Sequence, residues 1–544
     1  MKGFLRQASS RVCTKLVIYS KKNRRSMKGP VMLAKVISCG VLGLDGVPVT
    51  VEVDFSPHAG IPQFNIVGLP GSAIKESRER VRTAIKNSGL KFPLKRYTVN
   101  LAPADIPKDG PAYDLPIAIG ALAATDQVPQ EALEDAMFIG ELSLDGQLRH
   151  VKGVISCAYA ARRQGLARIY VPEMDAEEAA LIPDIDVIPT PTLGHLVEHL
   201  YGLNLIPAHR RSDLPAVDEE SLLRGLVDFA EIKGQEHVKR ALEVAAAGSH
   251  NVLLVGPPGA GKTLMARALP GILPAMTTDE SLEVTRIYSV ADLLPSDSPL
   301  LRARPYRSPH HTISQAGLVG GGRIPRPGEV TLAHMGVLFL DEFGEFGRSA
   351  LEVMRQPIED RKVTISRANG TLTFPANFML VAAMNPCPCG YYGDPAHECT
   401  CSPAQIRRYQ QTISGPILDR FDIHVDVPRV DYDKLTSKTQ GETSAAIRLR
   451  IEGARDRQRA RFAGNPHLHT NADMGPGDIR RYCTLTPEAE SLIKITLRQM
   501  HLSARAYHRV LKLALTIADL AGRDVIDVPH LAEAIQYRPR RVAV

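Results

Sequence analysis

An apolar run over residues 251–255 leads into Gly256-Pro257-Pro258-Gly259-Ala260-Gly261-Lys262-Thr263, and a helical stretch follows over 264–269. Strand, glycine-rich turn, Lys-Thr and helix in that order define a phosphate-binding P-loop, so this part of the chain must fold around a parallel α/β sheet. The glycines let backbone N–H groups turn inward around phosphate oxygens at a helix N-terminus, which favours anions. In such a loop the lysine neutralises β- and γ-phosphate charge of ATP and the Thr hydroxyl ligates Mg²⁺, the roles expected of Lys262 and Thr263. A chance glycine turn would lack the matching strand and helix.

A second buried run, Val337-Leu-Phe-Leu, ends in Asp341-Glu342. An acidic pair at a strand end is often a solvated turn. Beside a phosphate loop it has a chemical use: Asp341 holds Mg²⁺ and Glu342 polarises the attacking water. A third apolar strand is expected over 378–383, close to Asn385.

The 544 residues are too many for one core and predict about three domains. Apolar residues make up 44% and charged residues 23%, an ordinary globular balance, and no apolar run is long enough to cross a bilayer. The net charge of +7 is smaller than the nine Lys and Arg within residues 1–31, which hold no acid. The rest of the chain is therefore slightly acidic, and overall charge does not point to nucleic acid. Residues 1–31 lack a signal-peptide core and read as a basic, disordered extension or an upstream start. Residues 32–205 alternate short strands with helices, among them a half-buried strand near 49–54 and a basic amphipathic helix over 72–88. Residues 206–227 have linker composition. A βα core is expected over 228–430 and a charged helical region over 431–544.

Cys387-x-Cys389 and Cys399-x-Cys401 offer four thiolates to Zn²⁺, although each gap is tighter than the usual two to four residues. Reduced cysteines on a loop are the alternative, and either suits a reducing cytoplasm. Two alternating runs meet at Asn369-Gly370, which predicts a hairpin over 362–374. The glycine-rich stretch 302–332 reads as an irregular loop, with His310 and His311 as candidate metal ligands or incidental loop residues. Arg448, Arg450, Arg455, Arg457, Arg459 and Arg461 read as a solvated helix face, with DNA contact as the alternative.

Several of these segments carry a resemblance. The Asp341-Glu342 strand end is similar to that of AAA+ ATPases. Asn385 resembles their water-orienting sensor, Leu418-Asp-Arg420-Phe-Asp422 the arginine-finger segment of the magnesium-chelatase and MCM branch, and Ser503-Ala-Arg505 the second sensor. The hairpin resembles that branch's pre-sensor hairpin, which makes Arg367 and Asn369 candidate DNA contacts at a ring pore. Ile66-Val-Gly-Leu-Pro-Gly, Asn100-Leu-Ala-Pro-Ala-Asp, Gly140-Glu-Leu, Ser308-Pro-His-His-Thr and Asn385-Pro-Cys-Pro-Cys-Gly extend the likeness to the ComM/YifB family from residue 32 to the C-terminus. That resemblance implies a multidomain α/β protein with a Lon-protease-like α+β N-terminal domain, an AAA+ αβα core and a helical C-terminal lid. It also implies a cytoplasmic homo-hexamer that uses ATP and Mg²⁺ to move branched or single-stranded DNA in recombination or natural transformation. A regulatory ATPase acting on a protein partner and a metal-chelatase-type ATPase are the alternatives. Active Lon carries Asp-Gly-Pro-Ser where this chain reads Asp109-Gly-Pro-Ala112, and Ile155 falls at the position of the lysine base, with Lys152 nearby. The N-terminal domain is therefore expected to be a non-proteolytic scaffold, since a Ser-Lys dyad needs both groups.

Overall fold

The computed structural model describes residues 33–57, 61–210, 227–295, 298–322, 325–367, 370–430, 441–465, 467–500 and 503–538. The basic extension, most of the expected linker and Asn369 lie outside these residues. The chain forms two compact units. The first takes in residues up to Ala216 together with Thr285–Leu301 and Ala368–Leu372, and the second holds the remainder. Among the described residues no helix is long and apolar enough to cross a membrane.

The first unit is built on a mixed seven-stranded sheet in the order Gln63–Val67, Arg96–Ala102, Asp45–Ser56, Leu33–Leu42, Ala136–Phe138, Arg168–Pro172 and Asp186–Thr190. Leu33–Leu42 and Asp45–Ser56 form a long antiparallel hairpin, with Asp54 opposite Leu33 and Asp45 opposite Leu42. Alternation along the hairpin buries Val49, Val51 and Val53 on one face, as period-two patterning requires. Helix Asp114–Ala124 is buried along its whole length, and its sequence, LPIAIGALAA after Asp114, is apolar all round. Asp114 opens that helix with no exposed side-chain surface. Arg80 on helix Ser72–Asn87 holds it through Nε at 2.7 Å and a terminal nitrogen at 3.2 Å, and Leu142 N–H donates to it at 3.3 Å.

The second unit carries a five-stranded, all-parallel sheet in the order Tyr306–Arg307, Val337–Leu340, Met379–Met384, Val252–Val255 and Ile423–Asp426. The central strands are continuous apolar runs, because both faces of a parallel sheet are covered. Tyr306–Arg307 lies inside the stretch read from sequence as an irregular loop. Its pairing depends on Gly336, where an added Cβ would fall 2.0 Å from the Pro305 carbonyl oxygen. Short helices Gln315–Val319 and Glu329–Leu332 also form within that stretch. The C-terminal helices share one continuous core with the sheet: Val510, Leu513 and Ile517 pack in the same cluster as Val252, Leu254 and Val381.

The arginine run is only in part a solvated face: Arg450 and Arg459 stay exposed and Arg457 half-exposed, whereas Arg448, Arg455 and Arg461 turn inward. Helix Ser444–Phe462 lies along helix Glu236–Gly248, and several of its polar side chains are satisfied there or by neighbouring segments. Arg455 donates to the Ala246 carbonyl at 2.9 Å, Gln458 to the Ala247 carbonyl at 3.1 Å, and Arg448 to the Gly271 carbonyl at 2.6 Å. Helix ends leave carbonyls unpaired, and these side chains satisfy them. Arg450 pairs with Glu243 at 2.6 Å, and Arg461 reaches Asp519 at 2.9 Å.

Asp114→Ala should leave Arg80 without its buried counter-charge. Removing one partner of a buried pair costs about 3–5 kcal/mol, and the partial exposure of Arg80 favours about 3. The expected result is a lower urea midpoint for the transition of the first unit, with the nucleotide affinity of the second unchanged.

Candidate nucleotide site

All five strands of the parallel sheet point the same way, so the loops at their C-terminal ends converge. Val255 sits opposite Met384 and Asp426, which brings the glycine-rich turn, Asn385 and the segment after Asp426 to one edge. There a cavity of about 430 Å³ is lined by Pro258–Leu264, Asp341, Glu342, Ala383, Met384 and Asn385. Gly259 and Gly261 adopt φ of 76° and 87°, a backbone conformation that side chains disfavour. Gly256 is tied into the sheet, its N–H donating to the Met384 carbonyl at 3.2 Å.

Helix Lys262–Ala268 begins at the end of this turn. Lys262 folds back under the loop, and its Nζ donates to the Gly256 carbonyl at 2.6 Å, the Pro257 carbonyl at 3.0 Å and Asn385 Oδ1 at 3.2 Å. Burial pushes its ammonium pKa below the ordinary lysine value, against the pull of Asp341. A desolvated ammonium held only by neutral oxygens gains strongly from an anionic ligand. Thr263 Oγ1 donates to Asp341 Oδ2 at 2.7 Å, so a hydroxyl and a carboxylate of the kind that ligate Mg²⁺ stand side by side. These residues fit a nucleoside triphosphate with its magnesium ion. Glu342 follows Asp341 at the cavity mouth with φ of 50°, in the left-handed region, and its N–H donates to Asp341 Oδ1 at 2.9 Å. Backbone held in a sparsely populated region tends to cluster where function constrains it.

Arg420 and Arg505 do not line this cavity. Arg420 pairs with Glu359 and donates to the Pro416 carbonyl, its Nε has no partner, and burial lowers its pKa with Arg355, Arg505 and Arg509 adding to the effect. Arg505 is exposed at the start of helix Ala504–Leu520, which Ser503 caps. Hairpin strands Lys362–Arg367 and Gly370–Pro375 pair with each other, with Val363 and Ile365 buried and Arg367 exposed.

The four clustered cysteines come together on one loop. Their sulfurs all lie within 4.8 Å of one another, with Cys387–Cys389 at 3.4 Å, Cys389–Cys399 at 3.6 Å and Cys387–Cys399 at 3.7 Å. A disulfide needs about 2.05 Å. Four thiolates at about 2.3 Å from one tetrahedral zinc ion stand about 3.7 Å apart. The Tyr391 backbone N–H, with help from Cys387, draws the Cys389 thiol down to about 5. The loop also presses on the nucleotide site, because a Cβ on Gly390 would meet Pro258 Cδ at 2.6 Å.

Two residues at the site have contacts that the motifs do not foretell. Gln235, at φ 58°, donates through Nε2 to the Ala260 carbonyl at 3.0 Å and to the Pro428 carbonyl, and so ties the glycine-rich turn to the neighbouring strand end. His311 places Nδ1 3.1 Å from Glu342 Oε2. Gly234-Gln235 ahead of a helix offers a weak turn signal for the first. His310 and His311 read from sequence as candidate metal ligands or incidental loop residues within Ser308-Pro-His-His-Thr, with no partner at the site assigned to them.

The model of the magnesium chelatase ChlI subunit matches residues 228–435, that of its C-terminal region 441–538, and a further model described as subunit ChlI of Mg-chelatase matches 51–175. The competence protein ComM of Haemophilus influenzae is 44% identical over 93% of this chain and 97% of its own length. The uncharacterised protein YifB of Escherichia coli is 43% identical over 93% of this chain and 97% of its own. The chain belongs to the ComM/YifB family. Rv2897c of Mycobacterium tuberculosis, also uncharacterised, is 42% identical over the same share of this chain, and Lon protease 2 of Bacillus subtilis is 30% identical over 41% of it. As a member of the ComM/YifB family with a magnesium-chelatase-like AAA+ core, the protein is a multidomain α/β ATPase that uses ATP and Mg²⁺.

Gly390→Ala should drive a methyl group into Pro258 and shift the glycine-rich turn. A binding titration with a fluorescent ATP analogue is expected to give at least tenfold weaker affinity, with the far-UV circular dichroism of the wild type retained.

Proposed function

We propose that this protein is a hexameric, ATP-driven DNA motor of the branch-migration type, working on single-stranded or branched DNA in the cytoplasm. The observation that carries the reading is the hairpin Lys362–Arg367/Gly370–Pro375, which lies in the chain between the strand ending at Asp341-Glu342 and the strand ending at Asn385. A substrate-gripping element there is connected covalently to both sides of the nucleotide cavity. Similarity to a protein named for competence supports a DNA substrate.

In this reading Gly256–Thr263 cradles the phosphates and Lys262 moves from carbonyl oxygens to phosphate charge. Thr263 and Asp341 hold Mg²⁺, which when bound neutralises charge developing on the phosphoryl oxygens. Asn385, already within 3.2 Å of the Lys262 ammonium, orients the water that Glu342 activates. Arg420 and Arg505 stand outside their own subunit's cavity, which supports a role for Arg420 as a finger in the cavity of a neighbouring subunit and for Arg505 as a second sensor. Residues 32–205 serve as a scaffold without peptidase activity. Ala112 has no hydroxyl, Ile155 is buried with its N–H donating to Glu178, and Lys152 Nζ is engaged at 2.7 Å by Asp292.

Turnover measured with and without four-way-junction, single-stranded and duplex DNA tests the motor reading. DNA should stimulate wild-type hydrolysis, Lys262→Ala should lose ATP binding, and Arg367→Ala should weaken DNA binding while basal hydrolysis persists. Phosphate contacts give a salt dependence of about −0.7 per contact on a log–log plot for single strands, so the slope should flatten by about that amount. If DNA neither binds nor changes turnover at low salt, the motor reading fails. The partial likeness to a Lon protease then favours an ATPase acting on a protein partner.

We also propose that Cys387, Cys389, Cys399 and Cys401 hold a structural zinc ion that stiffens the loop against Pro258. Elemental analysis of protein prepared without chelator should find about one zinc per chain, and stripping it should lower the melting temperature. Absence of zinc would leave four reduced loop thiols.

A further inference from the structure

We propose that the second unit carries another ligand site, a cavity at the opposite end of the parallel sheet from the glycine-rich turn, which binds a phosphomonoester of nucleoside-monophosphate size with its phosphate against Arg455. This site does not depend on the DNA-motor reading.

The cavity has a volume of about 520 Å³, against about 430 Å³ for the nucleotide cavity. Small-molecule sites span about 300–1,000 Å³, whereas a close-packed core leaves few voids larger than a water molecule. One wall forms where strands begin: Gly336 precedes Val337–Leu340, Met379 opens Met379–Met384, and Ser249 stands shortly before Val252–Val255. Another comes from the end of helix Ser444–Phe462 and the chain after it. Met335, Phe378 and Leu468 add apolar surface beside charged groups, which suits a ligand with an anionic head and a planar body.

Four arginines line the cavity, and their partners differ. Arg304 is spent on the frame: its Nε donates to the Pro274 carbonyl at 2.6 Å, one terminal nitrogen to the Met335 carbonyl at 2.7 Å, and the other to Glu280 at 3.0 Å. Arg361 pairs with Asp473 and donates to Asn377 Oδ1 at 2.8 Å, and Arg459 pairs with Asp456 at 2.6 Å. Among the described residues Arg455 alone of the four has no carboxylate partner. One terminal nitrogen donates to the Ala246 carbonyl and to Ser249 Oγ, each at 2.9 Å, and its buried Nε has no partner. Burial draws this guanidinium down to about 9, with Arg304 and Arg459 adding to the effect against the pull of Asp473 and Glu280. Arginine keeps its proton at neutral pH, so the shift expresses the cost of holding a charge there, and an anion relieves it. Arg459 lies four residues further along the same helix, on the same face and exposed. Two guanidiniums with the Ser249 hydroxyl suit a dianionic phosphate better than a singly charged carboxylate. Asp279, exposed at the start of helix Thr278–Ala291, also lines the cavity. Its charge disfavours a polyphosphate tail and accepts hydrogen bonds from hydroxyl or amino groups of the ligand body.

Isothermal titration calorimetry of the full chain tests this, with the nucleotide cavity first saturated by adenylyl imidodiphosphate and Mg²⁺. Guanosine monophosphate is the probe, and inorganic phosphate and guanosine are its separate halves. The monophosphate should bind at one site per chain, with each half at least about tenfold weaker. Arg455→Met should weaken its binding by about tenfold or more, the range for loss of a charge-assisted hydrogen bond. Ala463→Trp fills the mouth of the cavity from an exposed position and leaves Arg455 in place, so it should abolish binding at an unchanged melting temperature. Both variants should bind adenylyl imidodiphosphate within about twofold of wild type. The site is overturned if the monophosphate gives no heat with a chain that binds the analogue, or if Ala463→Trp binds it with wild-type affinity. Equal affinity for inorganic phosphate and the monophosphate would overturn the phosphomonoester assignment.

Discussion

Parallel pairing of Val252–Val255 between Met379–Met384 and Ile423–Asp426 is the constraint on which the nucleotide site depends. Residues far apart in the chain reach one edge because parallel strands end together, and functional loops of open α/β sheets collect at the carboxyl ends. The register is held by burial on both faces, since Val252, Leu254, Val381 and Ala383 are enclosed on one face and Leu253, Leu380 and Ala382 on the other. A slip of one residue would turn these side chains over and part Lys262 from Asn385, the 3.2 Å contact that joins the glycine-rich loop to the end of strand Met379–Met384.

Around that sheet, polar side chains are spent on structure as much as on chemistry. Asn251 shows the economy: its Oδ1 accepts from Leu380 N–H at 2.9 Å while its Nδ2 donates to the Arg420 carbonyl at 3.1 Å. One side chain thus stitches the start of the central strand to both neighbours. His250, fully buried, is 2.9 Å from Thr516 Oγ1 and 3.4 Å from Asp422, which links the C-terminal helices to the segment just before strand Ile423–Asp426. Buried polar groups must find partners, and here the partners come from distant segments. The same rule explains the arginine run of helix Ser444–Phe462. Unpaired carbonyls at the end of helix Glu236–Gly248 and the acids Glu243 and Asp519 claim side chains that a charge count would leave in solvent.

The loop that bears the cysteines connects two kinds of chemistry. It leaves strand Met379–Met384 at Asn385, gathers four sulfurs, and touches Pro258 through Gly390. Arg429, just beyond the strand Ile423–Asp426, reaches back to Asp394 at 2.9 Å and lies over the Tyr391 ring. The loop is therefore held from both sides, and whatever order the sulfurs gain from a metal passes to the phosphate loop.

Much of the nucleotide site is legible in the sequence because its elements are local. Gly256–Thr263, the run ending in Asp341-Glu342 and the strand before Asn385 each carry their meaning within a few residues, since periodicity, glycine geometry and strand ends are short-range properties. The pairing of Lys362–Arg367 with Gly370–Pro375 is legible for the same reason. Tertiary structure decided the rest. Tyr306–Arg307 becomes a sheet edge because the bare backbone at Gly336 admits the Pro305 carbonyl, which no local pattern announces. Gln235 supports the glycine-rich turn, and His311 faces Glu342, through contacts spanning 25 and 31 positions of chain. Arg448 and Arg455 of helix Ser444–Phe462 look like part of a solvated face until the carbonyls they satisfy are known. A hydrogen-bond partner is chosen by proximity in space, and that proximity exists only after the apolar strands have collapsed into register.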